Sequence, residues 1–517
     1  MTSVAQRLVD WLTALGTEVV FGIPGVHTIE LYRALPGSGI RHITARHEAG
    51  AGFMADGYAR VSGRFGVALV ITGPGVTNIL TPMAQARADS VPMLVISGVN
   101  ERETLGRGLG HLHELPDQLA LTRTLGPAFQ LDRPEALPGI LAEAGAALTS
   151  GRGGPVHVQI PLDLMASPAP GAETGVSTRP DAGDIAQAAA RLEAARAPVI
   201  LAGGGCKRAE AELRACAEVL GAPVIQTTNA RGLMHGHPLT VAASPSLPPV
   251  RDLIRGADAV LVVGSELGPT DCDMYGDGGL PDLSDRMVRI DLCADQLARH
   301  PAAVALQGDA RDLMPRLARR TAPAADGPAR ARATRTAAFA ALSPKVQAEV
   351  QMLEALRGAR PGAIFVGDST QAIYAGNLFY DHDRPGGWFN AATGYGALGY
   401  ATGAAVGAAL AAPGVPVLCL IGDGGLMFAP GEVLTAVELG LDITFVVFNN
   451  RGFGEIASAM RDAGAEVLGC TPAPPAFAPF AESCGLPFAR CTPESLAGAI
   501  GTAPGPRMIE VTLPPVE

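Results

Sequence analysis

The chain has 517 residues, 48% of them hydrophobic and 17% charged. At about 100–200 residues per domain that length predicts roughly three domains with ample apolar surface to bury, and it excludes extended disorder. Lys plus Arg total 39 against 50 Asp plus Glu, a formal net charge of −11, so there is no polyanion-attracting field and nucleic acid is a poor partner.

The opening MTSVAQRLVDWL, with Arg7 and Asp10, reads as an amphipathic helix and lacks the basic flank and apolar core of a signal peptide. Apolar runs at Val19–Ile23, Ile40–Thr44, Gly66–Thr72, Met93–Ser97 and Val156–Ile160 predict strands. Helical patterns such as Ala49–Val61 and Thr77–Ala88 lie between them. That alternation predicts a parallel sheet covered on both faces. A Pro/Gly/Ala/Ser stretch, Ala166–Asp184, reads as a linker. The second block has predicted strands at Pro198–Ala202, Pro223–Gln226, Ala259–Val263 and Met287–Asp291, and Ala322–Arg335 reads as another linker. The third block repeats the rhythm of the first, with strands at Ala363–Gly367, Val417–Ile421, Ile443–Phe448 and Met508–Val511. No repeat is visible at the level of residues.

The longest uncharged stretch, Asn390–Ile421, is rich in Gly, Ala and Thr and broken by Pro413 and Pro416. It reads as a buried helix and strand; a membrane span would need about 20 strongly apolar residues. The eight cysteines form no CxxC pair and none precedes Cys206. That excludes a disulfide framework or a zinc site and points to a reduced cytoplasm. The expected fold class is α/β: three doubly wound parallel-sheet domains over residues 1–165, 185–321 and 340–517. Such sheets bind ligands beyond the carboxyl ends of their strands.

At one such end the third block reads GDGGLMF, and Asn450 in FVVFNNRGFG follows Asp423 by 27 positions. Alone, GDGG is a tight turn and NN a cap. Together at two strand ends, the carboxylate of Asp423, the amide oxygen of Asn450 and the carbonyl of Gly452 form a hard-oxygen set suited to Mg²⁺ with phosphate oxygens in its remaining positions. Gly422, Gly424 and Gly425 let backbone N–H groups approach a phosphate. Ser369, Thr370 and Gln371, in GDSTQ, offer further donors to it.

This pair of motifs resembles the GDG…NN signature of the thiamine diphosphate enzymes. FGIPG (Phe21–Gly25), ITARHEAGAGFMADGYAR around Glu48, ITGPGVTN (Ile71–Asn78) and DSVPMLVISG (Asp89–Gly98) are similar to the pyrimidine-binding domain of acetolactate synthases and related 2-oxo acid decarboxylases. The resemblance covers the full length in the order pyrimidine, central and diphosphate domain. It implies thiamine diphosphate and Mg²⁺ as cofactors, with Gly25, Thr72 and Asn78 near the coenzyme. It also implies a homodimer or homotetramer whose active site joins Glu48 of one chain to Asp423 and Asn450 of another. Glu48 would then hydrogen-bond the aminopyrimidine. Leu398, in NAATGYGALGYATG, would wedge between the coenzyme's rings while backbone groups of Gly396 and Leu398 meet the pyrimidine edge. By itself Glu48 is also an ordinary helix-start acid, and Leu398 an ordinary core residue.

A coenzyme carbanion of this kind attacks a small 2-oxo acid, and after loss of carbon dioxide the enamine is either protonated or ligated to a second carbonyl. Protonation needs a nearby donor. His27, after the GIPG turn, and His113 with Glu114, in GRGLGHLHELPDQ, are the candidates, the alternative being solvated loop residues. In acetolactate synthases the matching loop reads aromatic–Gln–Glu, and Pro127 stands near their downstream lysine position. Glu455, where relatives carry a substrate-facing residue, forms with Glu114 and Asp117 a potential acidic pocket for a cationic tail. The N-terminal segment and the GEI element of NNRGFGEIAS, which contains Glu455, are similar to the 5-guanidino-2-oxopentanoate (2-ketoarginine) decarboxylases. The central LAGGGCKRA departs from GxGxxG, and VVGSELGPTDCD lacks the arginine of flavin-binding relatives, so FAD is not expected. The expected function is decarboxylation of a 2-oxo acid. Acetolactate synthase-type carboligation is the alternative, and an oxidoreductase built on the central domain is a more distant one.

Overall fold

The computed structural model describes residues 2–171, 183–274, 276, 278–318 and 324–516. The strands form three six-stranded sheets in which every paired neighbour runs parallel. Numbering strands in chain order within each sheet, the first and third share the order 2-1-3-4-6-5. The central sheet reads 3-2-1-4-5-6, the dinucleotide-fold order. The three doubly wound sheets expected from the sequence are therefore present, and the outer two are topological copies without a residue-level repeat.

The inner strands, such as Met93–Val99 and Val417–Gly422, are apolar on both faces and buried throughout most of their length, as helix-covered parallel strands must be. Five strands go unannounced by the sequence pattern: Ala128–Gln130, Thr240–Val241, Val304–Gln307, Trp388–Asn390 and Phe488–Cys491. Each lies at the edge of its sheet.

The segment read as a second linker is corrected over most of its length. Gly327–Ala340 is a helix with Pro near its start, a position where Pro favours helix entry. Arg330 of that helix donates to the carbonyls of Ala197 and Pro198, both at 3.3 Å, fastening it to the central sheet. Within the first proposed linker, residues 172–182 lie outside the described residues. Among the described residues no helix is long and apolar enough to cross a membrane.

One core runs unbroken from Phe21, Ile43 and Met54 of the first unit to Ala404, Val406 and Phe445 of the third. Its centre is a crossing of two helices, Glu48–Ser62 and Tyr400–Ala411. Each follows the second strand of its own sheet. Glycine makes the crossing close: a Cβ on Gly57 would lie 2.0 Å from the Ala404 carbonyl oxygen, and one on Gly407 would lie 1.9 Å from that of Met54. Phe53 and Tyr400 meet edge to face across the junction, with centroids 5.3 Å apart.

Candidate active site

Three strand ends of the third sheet lie side by side. Gly367 pairs with Leu420, and Gly422 with Phe448, so the loops starting at Asp368, Asp423 and Asn450 open at one edge. They wall a cavity of ≈ 740 Å³. Every third-block residue singled out in the sequence lines it: Ser369, Thr370 and Gln371; Gly396 and Leu398; Gly422, Asp423, Gly424 and Gly425; Asn450, Gly452 and Glu455.

Asp423 is buried, which pushes its carboxyl pKa up. Backbone N–H groups around Asn450, Gly424 and Gly452 oppose that shift. The Asn450 side-chain oxygen accepts from the Gly452 N–H at 3.2 Å, which tightens that turn, and Asp423, Asn450 and Gly452 line the same cavity. Glycine is required here, because a Cβ on Gly452 would lie 2.2 Å from the Cys470 carbonyl oxygen and one on Gly424 2.5 Å from the Phe453 ring. Among the described residues no group of three His, Cys, Asp or Glu side chains is placed to hold a metal. A cation here would need the mixed oxygens of Asp423, Asn450 and Gly452 completed by phosphate, and the glycine-lined wall leaves room for one.

The sequence reading missed two carboxylates at this end. Asp368 is fully buried and accepts from the N–H groups of Ser369 (2.9 Å) and Ala401 (3.2 Å). Burial raises its pKa to about 6 against those bonds. Its effect is to tie the GDSTQ loop to the helix behind Leu398. Glu349, on the helix Pro344–Ala359, lines the cavity. Burial raises its pKa to about 7, with Lys345 lowering it and Glu455 raising it further. Gln371 donates its side-chain N–H to Glu455. A helix face read for packing alone gave no signal for Glu349.

At the first sheet, Glu48 begins its helix and accepts from the Asn78 side-chain N–H at 2.9 Å. The turn before it is held by Glu432 of the third unit, whose buried carboxylate accepts from the N–H groups of Arg46 (3.0 Å) and His47 (3.1 Å). Thr72, expected at the coenzyme, is buried and donates its hydroxyl to the Gln118 side chain (2.9 Å). Gly25 closes a turn with Thr28. His27 and His113 are brought together, with ring centroids 5.2 Å apart at 74° and a buried Nδ1 on each that has no hydrogen-bond partner among the described residues. Burial, and then His113, lowers the His27 pKa. Glu114 accepts from the N–H groups of Leu109, Gly110 and His111 (3.2, 2.7 and 3.0 Å), so its carboxylate shapes its own loop. Asp117 caps the helix that begins at Gln118.

None of Glu48, His27, His113, Glu114 or Asp117 lines the cavity within the same chain. The start of the Tyr400 helix packs along the Glu48 helix: Phe53 meets the Tyr400 ring, Tyr400 donates to Asp56 at 2.6 Å, and Arg60 lies over the same ring. The pocket imagined from Glu455, Glu114 and Asp117 is therefore not assembled within one chain.

In the central unit the glycine-rich turn is a short 3₁₀ segment, Gly204–Cys206. A Cβ on Gly203 would lie 2.2 Å from the Gly264 carbonyl oxygen, and one on Gly205 2.8 Å from the Gly264 Cα. These glycines serve contact between two loops.

Three family models match the chain: the N-terminal TPP binding domain of thiamine pyrophosphate enzymes over residues 2–121, the central domain over 185–317, and the C-terminal TPP binding domain over 368–511. The chain is 45% identical to a probable 2-ketoarginine decarboxylase of Pseudomonas aeruginosa, over 92% of this chain and 86% of that protein. It is 31% identical to the acetolactate synthase isozyme 1 large subunit of Escherichia coli (87% and 82%) and 30% identical to an acetolactate synthase of Mycobacterium bovis (95% and 84%).

Proposed function

Because the chain belongs to the thiamine pyrophosphate enzyme family, we propose that it is a Mg²⁺-dependent lyase decarboxylating a 2-oxo acid with a cationic side chain, 5-guanidino-2-oxopentanoate being the first candidate. The observation that carries this reading is the convergence of three strand-end loops on one cavity holding Asp423, Asn450, Gly452 and the cradle glycines. The 45% identical relative supports the substrate class. So do the carboxylates of Glu455 and Glu349 in the cavity wall, since a planar guanidinium favours carboxylate partners.

When bound, thiamine diphosphate supplies a nucleophilic carbon and an electron sink for loss of carbon dioxide. In this reading Asp423, Asn450 and Gly452 hold the Mg²⁺ that neutralises the diphosphate, and Gly424 and Gly425 let backbone N–H groups reach its oxygens. Leu398 supports the coenzyme's bend. Glu48, oriented by Asn78, holds a proton at the aminopyrimidine. Burial and the neighbouring His113 lower the His27 pKa, and in this reading the histidine pair moves a proton near the reacting carbon.

Two sites in a homodimer follow, each taking Glu48 and the histidines from the partner. Within one chain neither Glu48 nor the histidines line the cavity that holds Leu398. Large apolar residues are exposed next to both sets of loops: Val26, Leu109 and Leu112 by the histidines, and Tyr395, Phe428 and Ile456 by the cavity.

The test is a panel of 2-oxo acids with thiamine diphosphate and Mg²⁺, scored for carbon dioxide, aldehyde and acetolactate-type products. Carbon dioxide and an aldehyde from the guanidino acid are expected. Glu455→Leu should lower kcat/KM for it at least tenfold while sparing an aliphatic 2-oxo acid. No carbon dioxide from any member would overturn the proposal, and a ligated product would replace the lyase with the transferase.

A further inference from the structure

The turn from Gly394 to Gly399 carries Gly396 and Leu398 into the cavity, yet it belongs to no helix or strand. Its own backbone supplies one hydrogen bond, from the Gly396 N–H to the Ala391 carbonyl at 3.0 Å. At its Gly399 end the turn is held by the third unit, through the Thr402 hydroxyl (3.2 Å to the Gly399 carbonyl) and the Asp368 carboxylate; its other tethers come from the first unit of the same chain, at the C-terminal end of the helix Pro74–Ala88. Thr393 donates its hydroxyl to Asp89 at 2.8 Å, and the Ala397 N–H donates to the Gln85 side-chain oxygen at 3.3 Å. Gln85 in turn donates to Asp89 at 2.8 Å. Gly394 makes this approach possible, since a Cβ there would lie 2.8 Å from that of Ala88.

Behind these contacts stands a buried ion network. Arg60 binds Asp89 at 2.7 Å and Asp56 at 2.6 Å, with all three side chains essentially inaccessible. A buried carboxylate with a fixed cation is a rigid acceptor, because moving it would strand a charge.

We infer that Gln85 and Asp89, backed by Arg60, are positioning residues: they fix the 394–399 turn and thereby set where Leu398 and Gly396 meet the coenzyme. This rests on the thiamine diphosphate reading above. The arrangement has a second aspect. The helix whose far end grips the turn also carries Asn78 near its start, the residue that orients Glu48. One helix thus aligns groups that, in a dimer, would serve two different coenzymes.

The domain junction itself is held by the glycine-mediated helix crossing, so loosening the turn need not unfold the protein. The test uses Gln85→Met and Thr393→Val in the full chain, each removing one tether at near-constant volume, with Asp89→Asn as a stronger third variant. Amide hydrogen exchange of the peptide spanning residues 391–399 is measured without coenzyme. Thiamine diphosphate affinity is measured by calorimetry with Mg²⁺, and kcat and KM with the accepted 2-oxo acid. The expected result is faster exchange in that peptide, a coenzyme Kd raised about tenfold per tether, a lower kcat, and a substrate KM within about twofold of wild type. Wild-type exchange and wild-type coenzyme affinity in both mild variants would overturn the inference, as would faster exchange with unchanged affinity. Failure of the wild-type protein to bind thiamine diphosphate would instead remove the reading beneath it, and the exchange data would still decide whether the tethers hold the turn.

Discussion

Gly407→Ala should be among the most damaging single-methyl additions in the molecule. A Cβ at this position would lie 1.9 Å from the Met54 carbonyl oxygen and 2.7 Å from the Tyr58 nitrogen. Both are backbone atoms of the facing helix, so no side chain can rotate away. Restoring an ordinary contact of about 3.4 Å requires the two helices to part by roughly 1.5 Å where they cross, against interior packing that tolerates little expansion. Overpacking a core typically costs about 1–3 kcal/mol, and a rigid backbone clash belongs at the top of that range. Gly358→Ala is the matched control: it is exposed near the end of the helix Pro344–Ala359, with nothing within 4 Å of its Cβ. It should stabilise by about 0.5–1 kcal/mol through helix propensity. Urea unfolding followed by tryptophan fluorescence suits the comparison, because the only two tryptophans, Trp11 and Trp388, are buried in the first and third units. The expected midpoints fall in the order Gly407→Ala, wild type, Gly358→Ala. A Gly407→Ala midpoint at or above wild type would refute the account of the crossing.

Further outcomes follow from the site and from one buried histidine outside it. Asn78→Leu removes the 2.9 Å bond to Glu48; a hydrogen bond to a charged group is worth about 1.5–3 kcal/mol, so kcat should fall roughly 10- to 150-fold with coenzyme affinity largely kept, and Glu48→Gln should abolish turnover. Asp423→Ala should release thiamine diphosphate on gel filtration in Mg²⁺ where wild type retains it, and equal retention would count against the oxygen set as a metal site. His157 is fully buried between Ser97 and Thr122, at 2.8 Å from each hydroxyl, and burial lowers its pKa to about 3. The unfolded chain therefore binds one more proton than the native state below pH 6.5, and from there down to about pH 3 stability falls with pH, by up to tenfold in the folding equilibrium per pH unit. His157→Gln should flatten that slope by one proton in urea midpoints measured from pH 7.5 to 4, and an unchanged slope would refute the assignment.

What the sequence disclosed follows a physical line. Inner strands are legible because burial on both faces demands continuous apolar runs, as in VLCLI and FVVF. Three of the overlooked edge strands are covered less completely, Val304–Gln307 alternating between buried and exposed positions, while Thr240–Val241 and Trp388–Asn390 are buried but only two and three residues long, so none stands out from a loop. Pro, Ala and Arg at residues 327–335 suggest a spacer, but Ala and Arg are good helix formers and Pro is tolerated in a first turn. The cavity residues were readable because Gly-Asp-Gly and Asn-Asn sit at strand ends, where local chemistry and position coincide. The Thr72 hydroxyl bond to Gln118 could not be read from the sequence, because the two lie 46 residues apart and meet only on folding. Glu349 and Asp368 were overlooked for the same reason: their neighbours, Glu455 and Ala401, come from other elements.

The shared strand order of the outer sheets bears on why the two halves of the site lie apart in one chain. In both sheets the helix after the second strand packs at the junction, so the units face each other through equivalent helices. Glu48, at the start of its helix, does not line the cavity of its own chain. A second chain placed so that its Glu48 end covers the first chain's cavity would by symmetry receive the same in return, the closed isologous arrangement that favours dimers. The exposed apolar residues beside each half would then be buried together. On this argument pairing of chains precedes catalysis. Activity per chain should fall on dilution below the dimer dissociation constant, and mixing a Glu48→Gln chain with an Asp423→Ala chain should restore activity to at most one site per heterodimer. No recovery on mixing, with heterodimers verified by mass, would place both halves of each site in a single chain.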